Sequence, residues 1–290
     1  MAFSGAMSEQ AMERAIAALK ICAERIQRRN VTLGRYVATE ACRQAENGPE
    51  FIARVREETG IRLEAIPSRE EAELTLAGCL PLLNPAVPYA LTFDVGGGSA
   101  EILWVRIRSD APPQILGWIS LPCGVVTVTE KYGRPEISPD AYRRLVEDIQ
   151  AELRPFDETH NIAETLSSGR GQMLGTAGTV TTIAGVNMGL ERYNRSLVDG
   201  CWLGLDAVHD ITGRLAHASF DERASFGCIG RNRAELVVAG CGVLEAICRT
   251  WPAERMRVAD RGVREGILLS LAHQALAGPQ RPSGNPRPPS

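Results

Sequence analysis

The stretch FDVGGGSAEILWV, Phe93 to Val105, limits the possible folds more than any other part of this chain. Three consecutive glycines, Gly96, Gly97 and Gly98, stand between an acid and a serine inside an apolar run. Tyr89 to Asp94 reads as a buried strand and Glu101 to Ile107 alternates as a second, so the glycines join strand to strand. A Walker loop or a dinucleotide fingerprint runs from a strand into a helix, and neither describes this turn. Glycine clusters have two usual causes: a turn that needs unusual backbone angles, or the close approach of another group to bare amides. Such amides, with the Ser99 hydroxyl, can surround phosphate oxygens, and Asp94 can hold a hydrated Mg²⁺ beside them. The competing reading is a tight hairpin, although three glycines and two flanking acids exceed what a hairpin needs.

The rest of the composition sets bounds. A chain of 290 residues with 44% hydrophobic side chains can bury a substantial core and is expected to hold two domains. A formal net charge of -3 gives no general attraction to nucleic acid or to a membrane surface, so an anionic ligand has to be held locally. No glycine–lysine–serine or glycine–lysine–threonine triplet occurs, which excludes a P-loop NTPase. The 8 cysteines form no CxxC pair and the 4 histidines no HExxH, so a structural zinc site is not expected. Thiols on apolar helix faces read as small buried side chains in a reducing cytoplasm. No apolar run is long enough to span a bilayer and no secretory start is found, so a cytoplasmic protein is expected.

Along the chain, Ser8 is placed to cap a helix with Met12, Ile16, Leu19, Ala23 and Ile26 on one face. A strand at Tyr36 to Thr39, a helix opened by Asn47 and Pro49 and closed by Gly60, and a strand at Ile61 to Ile66 follow. A helix from Ser68 to about Leu80 precedes the break Asn84 to Pro88, read as a hinge. Beyond the glycine loop come a strand near Ile115 to Ser120, a helix after Gly124, and a long helix opened by Ser138 and Pro139. Met173 to Gly185 reads as strand into helix; helices are expected at Asp206 to Ala216 and Arg233 to Arg249, then a strand, tight turn and closing helix over Arg257 to Ala272. The expected units are residues 1–86, residues 87–277 and a disordered, proline-rich tail at 278–290.

Several side chains outside the loop have two local readings. Ser68-Arg69-Glu70-Glu71 fits the S-x-x-E capping box, so Glu71 can bond back to the Ser68 amide; it can equally face a bound phosphate and deprotonate a water. Gly175-Thr176-Ala177-Gly178-Thr179 can cradle a phosphate or nucleoside at a helix start, with Thr176 and Gly178 as contacts, or only pack strand on helix. Arg43 can grip phosphate, or pair with a surface acid such as Glu46. Arg261 and Arg264 bracket the last turn, where exposure is the default.

Taken in order, ATEACRQAEN at Ala38, EEAEL at Glu70, FDVGGGSAE at Phe93, GTAGT at Gly175 and GVREG at Gly262 resemble one family. It is that of the exopolyphosphatases and guanosine pentaphosphate phosphatases (Ppx/GppA), a branch of the actin-like, ribonuclease-H-like ATPase superfamily. The resemblance covers nearly all of residues 8 to 272. It implies two α/β domains with a cleft between them, Asp94 to Ser99 as the second phosphate loop, Glu71 as the catalytic acid or base, and Glu101 positioning metal or water. Mg²⁺ would be the cofactor, and polyphosphate or guanosine pentaphosphate the substrate. A homodimer is among the assemblies it allows.

The chain departs from the family pattern in two places. Pro67 and Ser68 stand where most members have a serine–glycine pair. No first phosphate loop of the type D-x-G-[ST]-N precedes Ala38, so the first domain is expected to be N-terminally truncated and catalysis much reduced. Two other activities compete: a non-catalytic sensor or regulator that binds guanosine tetra- or pentaphosphate, and a sugar or acetate kinase of the same superfamily.

Overall fold

The computed structural model describes residues 5–133 and 137–277. Ser8 accepts a hydrogen bond from the Ala11 amide and starts α1 (Glu9–Arg28), which buries Met12 and Ile16 on the face that the spacing marks out. Then come β1 (Tyr36–Ala38), a short helix α2 (Glu40–Gln44) that periodicity did not separate, and α3 (Gly48–Thr59), which ends at Gly60 with φ 73°. β2 (Leu63–Ala65) pairs in parallel with β1. Met12, Ile16, Phe51, Val55 and Ile61 form a small core around this pair.

α4 (Ser68–Cys79) and a 3-10 turn at Leu80–Leu82 lead into the large sheet. Its strands are β3 (Tyr89–Val95), β4 (Ala100–Arg106), β5 (Gln114–Leu121), β6 (Gly171–Thr176), β7 (Trp202–Gly204) and β8 (Arg255–Ala259), in the order β5-β4-β3-β6-β8-β7. β3, β4 and β5 form an antiparallel meander, while β6 and β8 run parallel to β3 on its other side. β7 closes the edge antiparallel to β8. The α/β, ribonuclease-H-like class expected from the sequence is therefore the one adopted.

The remaining helices are α5 (Val125–Tyr132), α6 (Pro139–His160), α7 (Ile162–Ser167), α8 (Ala177–Asn187), α9 (Arg195–Val198), α10 (Leu205–His217), α11 (Phe220–Ser225), α12 (Arg231–Ala234), α13 (Val237–Thr250) and α14 (Val263–Ala277). The helix expected over Arg233 to Arg249 is thus broken, because the Leu236 amide turns back to the Arg233 carbonyl and α13 begins afresh. The tail from residue 278 lies outside the described residues.

β3 is buried along most of its length because both of its faces are covered. Leu91 and Phe93 join Leu145, Ile183, Val243 and Trp251 in the main core. The opposite face packs against Ala72, Leu76 and Cys79 of α4. α4 and α14 meet backbone to backbone: a Cβ on Gly266 would lie 2.0 Å from the Leu74 carbonyl oxygen. This tight seat sets where the start of α4, and with it Glu71, stands relative to β3. Among the described residues no helix is long and apolar enough to cross a membrane.

Candidate active site

The loop Gly96–Ser99 closes a β3–β4 hairpin in which Val95 faces Ala100. Backbone angles do not explain its glycines, since none of the three has a positive φ. Hydrogen bonding is more informative. The carbonyls of Gly96 and Gly97 accept from the Val125 and Val126 amides at 3.0 and 2.8 Å, and that of Gly98 accepts from the Thr127 hydroxyl at 3.0 Å. The Gly96 amide donates to Ser99 O, but among the described residues the amides of Gly97 and Gly98 have no acceptor. With its carbonyls tied to the first turn of α5, the loop leaves two donors for an outside anion. Gly124 makes this contact possible, because a Cβ there would lie 2.4 Å from the Gly97 carbonyl carbon. In the sequence Gly124 marked only a helix start.

Glu71 stands in the first turn of α4, but the capping box does not form. Pro67 is the N-cap, Ser68 lies inside the helix, and no side chain caps it. The Glu71 carboxylate instead accepts from Arg43 Nη1 at 3.0 Å. Arg43 also donates to the Ile66 carbonyl at 2.7 Å and, through Nε and Nη2, to Glu40 at 3.2 and 2.5 Å. Its partners are therefore Glu40 and Glu71, not Glu46, and its role in this structure is to hold those two carboxylates. Burial pushes the Glu71 carboxyl above the ordinary range; the Arg43 bond opposes the rise and the charge on Glu40 adds to it.

Asp94 faces Glu101 on one neighbouring strand and Thr176 on the other. Burial first, then the charges of Glu101 and Glu71, push its carboxyl up to about 7. Glu101 is only 4% exposed, and its Oε1 accepts from the Ser99 hydroxyl at 2.5 Å and the Ser120 hydroxyl at 3.1 Å. Burial raises it as well, and the Ser99 bond pulls it back. Ser99 thus spends its proton on Glu101, and Ser120, which no motif singled out, completes the clamp.

The charges of neighbouring carboxylates raise three of these acids, Glu40 acting on Glu71 and Glu101, Glu71 on Asp94 and Glu101, and Glu101 on Asp94, with the Arg43 guanidinium bonded to Glu40 and Glu71. Among the described residues no three such side chains converge into a ready cation cage. Mg²⁺ is commonly held by one or two carboxylates with waters and substrate phosphate completing the shell, and this all-oxygen, negatively charged set fits such binding.

The β6–α8 turn faces the same region. The Thr176 hydroxyl lies 2.5 Å from the Arg261 carbonyl and 3.1 Å from that of Ala259, so it donates to the chain itself. Ala177 has φ 72°, a left-handed angle that costs a non-glycine residue about 1–2 kcal/mol. Strain of this kind gathers where a backbone must meet a ligand. A cavity of about 350 Å³ opens here, lined by Asp94, Gly178, Tyr193, Arg233, Arg261 and Arg264 among others. Arg261 is half-buried and bonded to Asp199 at 2.8 Å, whereas Arg233 and Arg264 form no ion pair among the described residues. The exposure expected of Arg264 is found, whereas Arg261 is half-buried; Arg233 and Tyr193 lie in no sequence motif, and only the fold brings them to this cavity.

A Cβ on Gly178 would meet nothing within 4 Å, so packing does not require a glycine there. Gly178→Ala is expected to leave the melting temperature unchanged and to raise the half-saturating concentration of an anionic substrate several-fold. A thermal melt beside a substrate titration checks this, and unchanged saturation would remove Gly178 from the site.

The Ppx/GppA phosphatase family matches residues 1–275. The chain belongs to this family. The Exopolyphosphatase 1 proteins of Mycobacterium bovis and Mycobacterium tuberculosis are 28% identical over 240 residues, or 80% of this chain. The chain spans 65% of the length of these curated relatives. Among solved structures, an exopolyphosphatase-like protein superposes with a TM-score of 0.84 at 26% identity, covering 94% of this chain and 86% of the other. The Aquifex aeolicus PPX-GPPA enzyme gives a TM-score of 0.74 at 26% identity, covering 92% and 85%. In this Ppx/GppA chain the matched region includes the glycine loop, Glu71 and the β6–α8 turn.

Proposed function

We propose that this Ppx/GppA family member is a Mg²⁺-assisted phosphohydrolase that releases the terminal phosphate of inorganic polyphosphate, of guanosine pentaphosphate, or of both. The observation that carries this reading is Arg43, which holds both Glu71, whose charge is felt by Asp94 and Glu101, and Glu40, which lies against Gly98 in the loop whose Gly97 and Gly98 amides are unengaged. A carboxylate whose proton affinity is raised by burial is a better general base near neutral pH than an exposed one. Glu71 would take the proton of the attacking water while Arg43 fixes its orientation. The Gly97 and Gly98 amides would receive the charge that builds on the phosphoryl oxygens. Arg233 and Arg264, at the rim of the neighbouring cavity, would meet the phosphates further along the substrate. When bound at Asp94 and Glu101, Mg²⁺ supplies Lewis-acid neutralisation of phosphate charge. The names of the relatives favour polyphosphate.

The test is phosphate release from polyphosphate and from guanosine pentaphosphate, each with Mg²⁺ and with chelator. Release from at least one substrate, lost on chelation, is the expected result. Calorimetric binding of guanosine tetraphosphate with no release from either substrate would replace the enzyme by a regulatory nucleotide-binding protein.

A further inference from the structure

Arginine and bare backbone amides both bind phosphate, and in this site a side chain of the protein itself lies against both. Arg43 is half-buried, and its Nε and Nη2 atoms donate together to Glu40 Oε2 at 3.2 and 2.5 Å. Its Nη1 atom is taken by Glu71 and by the Ile66 carbonyl. Every nitrogen of the guanidinium is therefore engaged before a ligand arrives. The stem of Glu40 rests on the glycine loop, since a Cβ on Gly98 would lie 2.9 Å from Glu40 Cγ and 3.4 Å from its Cβ. Glu40, Gly97 and Gly98 line one cavity of about 480 Å³, into which Gln44, Val126 and Glu130 also face. The Gly97 and Gly98 amides beside Glu40 have no acceptor among the described residues.

An ion pair three residues apart on an exposed helix is ordinarily a minor stabilising contact. This one differs, because its side chains are only 16% and 19% exposed and α2 is a five-residue helix with no side-chain cap. Arg43 is already fixed by Glu71 and the Ile66 carbonyl, so Glu40 is not needed to hold it. We infer that Glu40 is a built-in competitor for phosphate: in the unliganded protein its carboxylate occupies the fork of Arg43 that a substrate phosphate takes, and it leaves when the phosphate binds. The identity of the anion rests on the phosphohydrolase reading. The consequence is selectivity. Displacing Glu40 takes the same free energy for every anion; a chain of phosphates that would also meet Arg233 and Arg264 offsets it, and a lone phosphate does not. Glu40 thus weakens the hold on the inorganic phosphate that hydrolysis leaves behind.

The experiment is calorimetric titration with tripolyphosphate and with inorganic phosphate in metal-free buffer, on proteins that a thermal melt shows to be folded. Glu40→Gln should bind both anions about tenfold more tightly than the wild type, since an apparent affinity is lowered by the fraction of molecules in which the site is occupied. Glu130→Gln removes the same charge from the α5 side of the same cavity and should gain no more than about twofold. Equal gains from the two variants would mean general repulsion and overturn the inference, as would no binding by either the wild type or Glu40→Gln. In an Arg43→Gln background Glu40→Gln should gain no more than about twofold, because no fork is left to compete for, and a full tenfold gain there also overturns it. Should Arg43→Gln not fold, the Glu130 comparison and a crystal structure with tripolyphosphate decide. That structure should show Glu40 swung off Arg43; a bound phosphate with the pair intact refutes displacement. In phosphate release with Mg²⁺, inorganic phosphate should inhibit Glu40→Gln at about tenfold lower concentration than the wild type. A protein that releases phosphate but whose anion binding ignores Glu40 loses this inference alone. One that shows the competition and releases no phosphate loses the hydrolase reading alone.

Discussion

Replacing Glu71 with glutamine is expected to lower phosphate release by about 100- to 10,000-fold, the range over which a positioned general base acts. Glutamine keeps an acceptor for Arg43, and Arg43 keeps its bonds to Glu40 and to the Ile66 carbonyl, so the start of α4 has no reason to move. The melting temperature should therefore stay within a few degrees of the wild type, which separates lost chemistry from lost fold. The base works ionised, and its pKa is raised by burial. The wild-type rate should accordingly climb with pH through a range above that of an exposed glutamate. Release by Glu71→Gln at the wild-type rate would return Glu71 to a structural role.

Asp94→Asn should have the largest effect on stability, and in the stabilising direction. The Asp94 carboxyl holds its proton up to about pH 7 in the folded protein, against 3.8 for an unperturbed aspartate. Between these values the folded state keeps a proton that the unfolded chain has released. The stability contributed by Asp94 thus falls as pH rises from about 4 to about 7, and the penalty is complete above that window. A shift of about three units corresponds to on the order of 4 kcal/mol. Asparagine does not ionise, so at pH 8 in metal-free buffer the variant should melt roughly 5 to 10 °C above the wild type, and at pH 4 the two should coincide. Added Mg²⁺ should raise the melting temperature of the wild type and leave that of Asp94→Asn unmoved, because binding to the folded state alone shifts the equilibrium by mass action. Equal melting of the two proteins at pH 8 would show that burial does not penalise this carboxylate. The same substitution should sharply reduce phosphate release, so stability at this position opposes function.

Much of the architecture follows from local rules. Ser8 before a periodic apolar run gave α1, Pro49 and Gly60 bracketed α3, and the paired apolar runs around three glycines gave the β3–β4 hairpin. Caps, periodicity and turns act between residues a few positions apart, so neighbours in the sequence are enough to specify them. The site depends on a different scale. Arg43 meets Glu71 from 28 positions away, Ser120 reaches Glu101 from 19, and Thr127 fastens Gly98 from 29. For Glu71 the local rule misleads: S-x-x-E predicts a cap, but Pro67 takes the capping position and frees the carboxylate for Arg43. The three glycines show the division most plainly. Their presence in the sequence said that either unusual backbone angles or a close approach was required. Only the fold, by giving them ordinary angles and tying their carbonyls to α5, showed that the Gly97 and Gly98 amides are left without an acceptor among the described residues. Hydrogen bonds within one turn are selected by adjacent residues, whereas those that orient a catalytic group exist only after the topology has brought distant segments into contact.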